Sequence, residues 1–133
     1  MNPREEFDNL GSMVLYHRRY NIGDKWEYLP GHYKPSSQEF SGWGEMLKYF
    51  EKVHDLAVCL PVYMYEHSGI ALDVEPFHCR WDSGQVGFIF VSKSKLRDKY
   101  NVKRLTKSIV EKAKSVLIAE VAKYNNYLQG DEE

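Results

Sequence analysis

The sequence predicts an α+β fold: an antiparallel sheet of three to four strands, with a long C-terminal helix and a second helix packed on one face. Three observations predict it. Two apolar runs rich in aromatic and β-branched residues, 56–65 and 86–91, read as core strands. Leu105, Ile109, Val110, Ala113, Val116, Leu117, Val121, Tyr124 and Leu128 form a stripe at i, i+3/i+4 spacing, which is the signature of an amphipathic helix. Phe40, Trp43, Met46, Leu47 and Phe50 repeat the same spacing over 37–53.

In chain order, residues 1–11 are polar and read as a flexible arm, with a turn at Asp8-Asn-Leu-Gly11. Met13 to Tyr16 has strand propensity, and Asn21-Ile-Gly-Asp24 is the next turn. Two prolines and a glycine make 25–36 an irregular loop. Ser36 or Ser37 then serves as helix cap, with Glu39 in the first turn. Gly42 and Gly44 weaken that helix and leave room for a close neighbour.

Pro61 interrupts the first central run. Proline donates nothing to a ladder, so this strand is an edge, is bulged at 61, or starts its regular pairing at Val62. His67-Ser-Gly69 turns the chain into a short strand, 70–74, and Asp82-Ser-Gly-Gln85 is a second turn. Gly87, inside the 86–91 strand, marks a close aromatic neighbour or a bulge. Ser94 caps a short helix over 95–99, which 100–102 breaks. Thr106 or Asn101 caps the last helix. Gly130 follows its end, and residues 130–133 form a frayed acidic tail.

The length of 133 residues fits one domain, 1–133. No apolar run approaches the length of a membrane helix, and the N-terminus has no apolar leader segment, so no membrane association is expected. Two cysteines are too few for a disulfide framework, which sets a reducing, cytoplasmic location as the expectation. Cys59, in an apolar run, reads as a small core residue.

Charge is uneven. Residues 1–92 carry 8 basic and 13 acidic side chains, whereas 93–114 carry 9 basic and 2 acidic. Lys95, Lys99, Lys103, Arg104 and Lys107 are the candidate binding residues of this basic stretch, for a partner's acidic surface or for nucleic acid. The stretch has only Tyr100 as an interleaved aromatic and no nucleic-acid-binding motif.

Chemical motifs are few. No zinc-ligand spacing occurs among His17, Cys59, His67, His78, Cys79 and Asp82, so no metal or other cofactor is expected. No nucleophile elbow, P-loop or dinucleotide fingerprint is present. Two constellations carry chemistry: a pocket of His17, Arg19, His67 and Asp82, with no catalytic residue assigned by motif, and an anion site of His17, Arg18, Arg19 and Arg80 gathered at strand ends. Arg18 and Arg19 point to opposite faces of a strand, so at most one joins it. Against that anion site stands a plain alternative, an Arg18 or Arg19 ion pair with Glu66, Asp73 or Asp82.

Four stretches go further: Asp8-Asn-Leu-Gly11, His17-Arg-Arg-Tyr-Asn-Ile-Gly-Asp24, Leu60-Pro-Val-Tyr-Met-Tyr-Glu-His-Ser-Gly69 and Trp81-Asp-Ser-Gly-Gln-Val-Gly-Phe-Ile-Phe90. In this order they resemble a family of small uncharacterised proteins encoded by tailed phages and prophages. The chain departs from that pattern around Gly31-His32-Tyr33 and in His78 and Arg80 before Trp81. The resemblance implies a phage origin and a bacterial host cytoplasm. It also implies a role in host takeover or counter-defence. Small size, the lack of a catalytic motif, many tyrosines and the basic helix favour a non-enzymatic inhibitor or host-takeover protein that binds a host or defence protein stoichiometrically, such as a CRISPR effector or another nucleoprotein complex. A small enzyme or ligand-binding protein using the His/Arg/Asp pocket is the alternative, and a replication or virion accessory protein is a third.

Overall fold

The computed structural model describes residues 1–130, so the expected acidic tail lies outside the described residues beyond Gly130. Four α-helices and four strands follow one another along the described residues: α1 Pro3–Glu6, β1 Ser12–Leu15, α2 Trp43–His54, β2 Leu56–Glu66, β3 Ile70–Asp73, β4 Ser83–Ser92, α3 Lys93–Tyr100 and α4 Lys107–Leu128. The strands form one antiparallel sheet in the order β1-β4-β2-β3. The α+β class and the long C-terminal helix are as expected.

The two helices do not share a face. Met13, Leu15, Val62, Met64, Ile89 and Val91 pack with Ala113, Leu117 and Val121 of α4. Val14, Phe88 and Phe90 point the other way and pack with Met46 and Phe50 of α2. The reason lies in β1 and β4. Residues 12–15 and 86–91 are buried at every position. Successive side chains of a strand alternate between faces, so an unbroken apolar run needs cover on both. Each fully buried Leu, Val or Phe contributes about 1.5–3 kcal/mol through its removal from water.

β2 is a central strand, not an edge, yet it tolerates Pro61. Pro61 sits opposite Phe88 of β4, and β3 pairs only with Tyr63–Glu66. On its far side Pro61 therefore has no strand to bond. Register shifts follow at Val62/Tyr63 and precede at Leu56/Val58. Gly87 answers backbone rather than an aromatic ring: a Cβ there would collide with the carbonyl oxygen of Val14 on β1.

Several boundaries move for local reasons. Ser36 and Glu39 form a capping box, but it closes only the 3₁₀ turn Ser37–Glu39. Extended backbone at Phe40 and Gly42 ends that turn, and α2 starts afresh at Trp43. A Cβ at Gly44 would meet open space, so no element approaches there. β4 begins at Ser83, which moves the expected 82–85 turn upstream. Ser92 rather than Ser94 caps α3, accepting from Lys95 N–H at 3.2 Å. Asn101 ends α3 in the left-handed region, φ 52°. Thr106 caps α4, accepting from Ile109 N–H at 3.2 Å.

Residues 1–11, expected as a flexible arm, carry α1 and contact the rest of the fold through Arg4. Arg4 is buried and donates to both carboxylate oxygens of Asp24, at 2.7 and 3.0 Å, to Glu120 on α4 at 3.3 Å and to the Gly11 carbonyl at 2.6 Å. Asp24 also accepts from Met13 N–H, and Glu120 from Leu10 and Gly11 N–H. The buried charges thus pin the N-terminal segment to both β1 and α4.

Candidate functional site

Antiparallel pairing brings three chain ends together: the residues after β1, the end of β2 and the start of β4. Glu66 N–H donates to the Asp82 carbonyl at 2.8 Å and ties β2 to the segment before β4. A hollow of about 380 Å³ opens there, lined by His17, Arg19, Glu66, Trp81, Asp82 and Gln85 among others. Three of the four pocket residues expected from the sequence, His17, Arg19 and Asp82, therefore meet. His67 lies outside it, beside Ser68, Gly69 and Leu128 in a neighbouring hollow, and touches the first only through Asp82 at 3.4 Å.

Glu66 is the hub. One carboxylate oxygen faces His17 Nε2 at 3.2 Å and the other pairs with the Arg19 guanidinium. Arg18 is exposed and, among the described residues, has no ion-pair partner. His17 Nδ1 accepts from the backbone N–H of Arg19 at 3.0 Å and of Tyr20 at 3.2 Å. That fixes the tautomer: Nδ1 bears the lone pair and Nε2–H donates to Glu66. Burial, then the nearby Arg19 and Arg18 charges, lower the His17 pKa. Both nitrogens are occupied, so His17 shapes the 17–20 turn and has no free lone pair to take a proton.

The nucleophile candidates are engaged too. Ser83 Oγ donates to the Cys79 carbonyl, and the Cys79 thiol to Asp82 at 3.7 Å. Ser68 sits in an exposed turn with φ 61°. Cys59 packs on the α2 side, where burial pushes its thiol up to about 12. Among the described residues, no group of three His, Cys, Asp or Glu side chains could hold a metal ion. No helix among them is long and apolar enough to cross a membrane.

A second hollow was not legible as a site. The loop after β1 carries two 3₁₀ turns, Trp26–Tyr28 and Pro30–His32. Together they frame a groove of about 580 Å³ lined by Lys25, Trp26, Glu27, His32, Tyr33 and Lys34 among others. Trp26, Tyr28 and Tyr33 are 56%, 59% and 52% exposed. The loop beneath them is anchored. Leu29 is buried in the α2 core, Tyr16 O–H donates to the Pro35 carbonyl at 2.7 Å, and Lys34 Nζ donates to the Leu15 carbonyl at 2.7 Å. Gly31, at φ 71°, supplies the left-handed turn. His32 Nδ1 bonds the Glu27 carbonyl at 2.8 Å across the groove's wall. The available signal was several aromatics in a Pro/Gly loop with no helical or strand period to bury them.

The five basic residues do not all line one hollow. Lys103 and Arg104 line a hollow with Lys93 and Arg97, whereas Lys95 donates to the Asn9 carbonyl at 3.1 Å. Lys99 and Lys107 are exposed outside that lining.

Protein-family models, curated proteins and solved structures contain no match to this chain. The phage resemblance rests on the quoted motifs alone.

Proposed function

We propose that this protein is a non-enzymatic binding protein that grips its partner through the aromatic groove of residues 21–34. The observation that carries the reading is the exposure of Trp26 and Tyr33 in the groove's lining, with Tyr28 also exposed, on a loop tied down from below. Trp and Tyr dominate the energetic centres of protein interfaces, and a preorganised loop loses little entropy on docking. Lys25, Glu27 and Lys34 supply a polar rim around them. The engaged His17 supports binding over catalysis, since its imidazole has no free lone pair to act as a base. The phage resemblance points the partner toward a bacterial host or defence factor, blocked stoichiometrically in the host cytoplasm.

The test is affinity capture by the tagged protein from infected-host lysate, with and without nuclease, alongside Trp26→Ala and Tyr33→Ala. A partner held at one-to-one stoichiometry after nuclease, and lost about tenfold or more in either variant, is the expected result. Equal capture by the variants, or retention of nucleic acid alone with steep loss in salt, would overturn it.

A further inference from the structure

The elbow between α3 and α4 gathers like charge. Lys93 and Arg97 stand four residues apart on α3, so they share a helix face. Lys103 and Arg104 follow in the connector. All four line a hollow of about 450 Å³ with Ala57, Leu105 and Val110. Those three apolar residues are half-buried extensions of the core beneath α4. Lys95 and Lys99, two residues out of step, leave the hollow.

Little within the protein offsets this charge. Lys93 has one carboxylate, Asp55 at 3.7 Å, itself 77% exposed. Arg97, Lys103 and Arg104 have no ion-pair partner among the described residues. The first turn of α4, which borders the hollow, contains no acidic residue. Gathering four cations raises the local potential and favours an incoming anion.

The apolar lining decides which anion. A nucleic-acid backbone would cover Ala57, Leu105 and Val110 without placing an apolar group on them. The lining also offers no aromatic ring for a base to stack on. A peptide carrying an apolar side chain between carboxylates uses both features. Its side chain covers the lining, and its carboxylates meet the guanidinium forks of Arg97 and Arg104 and the two ammonium groups. We propose that the α3–α4 elbow docks an acidic segment of a protein partner that presents one apolar residue flanked by carboxylates. This rests on the binding reading above and adds to it a second contact surface with defined partner chemistry.

The experiment is fluorescence anisotropy on the purified full chain. The probe is a fluorescein-labelled peptide with one leucine flanked on each side by two glutamates. Saturable binding that weakens with added salt is expected. Replacing the leucine with serine weakens it about tenfold or more, because the apolar contact is lost. Arg97→Glu and Arg104→Glu each weaken it at least about tenfold, whereas Lys99→Glu, the same charge change outside the hollow, costs less than about threefold. Melting temperature checks each variant. Arg104 lies exposed in the connector, so Arg104→Glu keeps the test alive if Arg97→Glu unfolds the chain.

No saturable binding, equal affinity for the serine peptide, an equal loss in Lys99→Glu, or tighter binding of a short thymidine oligonucleotide would each overturn the proposal. The two readings fail separately. If the peptide fails while Trp26→Ala and Tyr33→Ala lose the cellular partner, only the elbow falls. If the peptide binds as described while those variants keep their partner, the elbow stands and the aromatic groove falls.

Discussion

Two ion clusters lie at opposite ends of β1, and they are built on opposite terms. At its start, Arg4, Asp24 and Glu120 are sealed: the Arg4 and Asp24 side chains are 1% and 6% exposed, and together the three accept or donate to the backbone of Leu10, Gly11 and Met13. Past its end, Glu66 holds His17 and Arg19, and Asp82 holds His67; His17 is as covered as Glu120, at 12% and 13%, but Arg19, His67 and Asp82 are 60%, 66% and 41% exposed, and Trp81 in the same hollow is 90% exposed. The same chemical groups do different work because of burial. A sealed cluster whose donors are all matched fixes the chain, since breaking any member strands a charge away from water. In the open cluster the Arg19 and His67 pairs are exposed and screened, so each contributes little to stability and its groups stay within reach of a ligand.

The sharpest way to break this contrast is Arg4→Ala. It leaves Asp24 buried beside a carboxylate-rich void and unties α1 from α4. A loss of about 3–5 kcal/mol is expected in urea unfolding. Arg4→Ala combined with Asp24→Ala should cost less than the sum of the two single changes, because the second removes the charge that the first strands. A loss below about 1 kcal/mol for Arg4→Ala would put the sealed cluster on the same footing as the open one.

That cluster also marks the limit of what the chain reveals on its own. α4 was legible because its stripe repeats every three or four residues, and β4 because its apolar run is continuous. Arg4 was not: it sits in a polar segment, and its partners are 20 and 116 residues away in sequence. Placing α2 and α4 on opposite faces was beyond local pattern as well, since an apolar run says that both faces are covered but not by what. In the site, His17, Arg19 and Asp82 were legible as chemistry, and a Glu66 pair with Arg18 or Arg19 as the plain alternative. The two backbone N–H groups that occupy His17 Nδ1 depend on a turn geometry no spacing encodes. The aromatic groove was hidden for a related reason: irregular loops carry no period from which to infer exposure.

Acid gives the next, smaller separation. His17 at the open end and His54 on α2 both have lowered pKa values, each chiefly through burial, with His54 stacked against Phe50 and Phe90. A histidine whose pKa is lower folded than unfolded binds its proton more readily in the unfolded chain. The stability it contributes is therefore fully present well above the unfolded value of about 6.5 and declines as pH falls through it. The decline levels off below the folded pKa. Melting temperature should drop between pH 7.5 and 5, and His17→Gln with His54→Phe should flatten that slope. An unchanged slope in the double variant would remove both rings as its source.

The smallest expected effect tests the open cluster most directly. His67 is 66% exposed and its contact with Asp82, at 3.4 Å, is long and solvent-screened. His67→Ala should shift unfolding free energy by less than about 0.5 kcal/mol. On the binding reading it should also leave partner capture unchanged, because His67 lines neither the aromatic groove nor the α3–α4 elbow. Loss of partner capture at unchanged stability would be the informative failure. It would mean that the His67–Asp82 pair acts on a ligand, and would move the functional centre from the aromatic groove to the ends of β2 and β4. A large loss of stability would instead place His67 with Arg4, among residues whose charge partners hold the chain together, and the division between sealed and open ends would no longer stand.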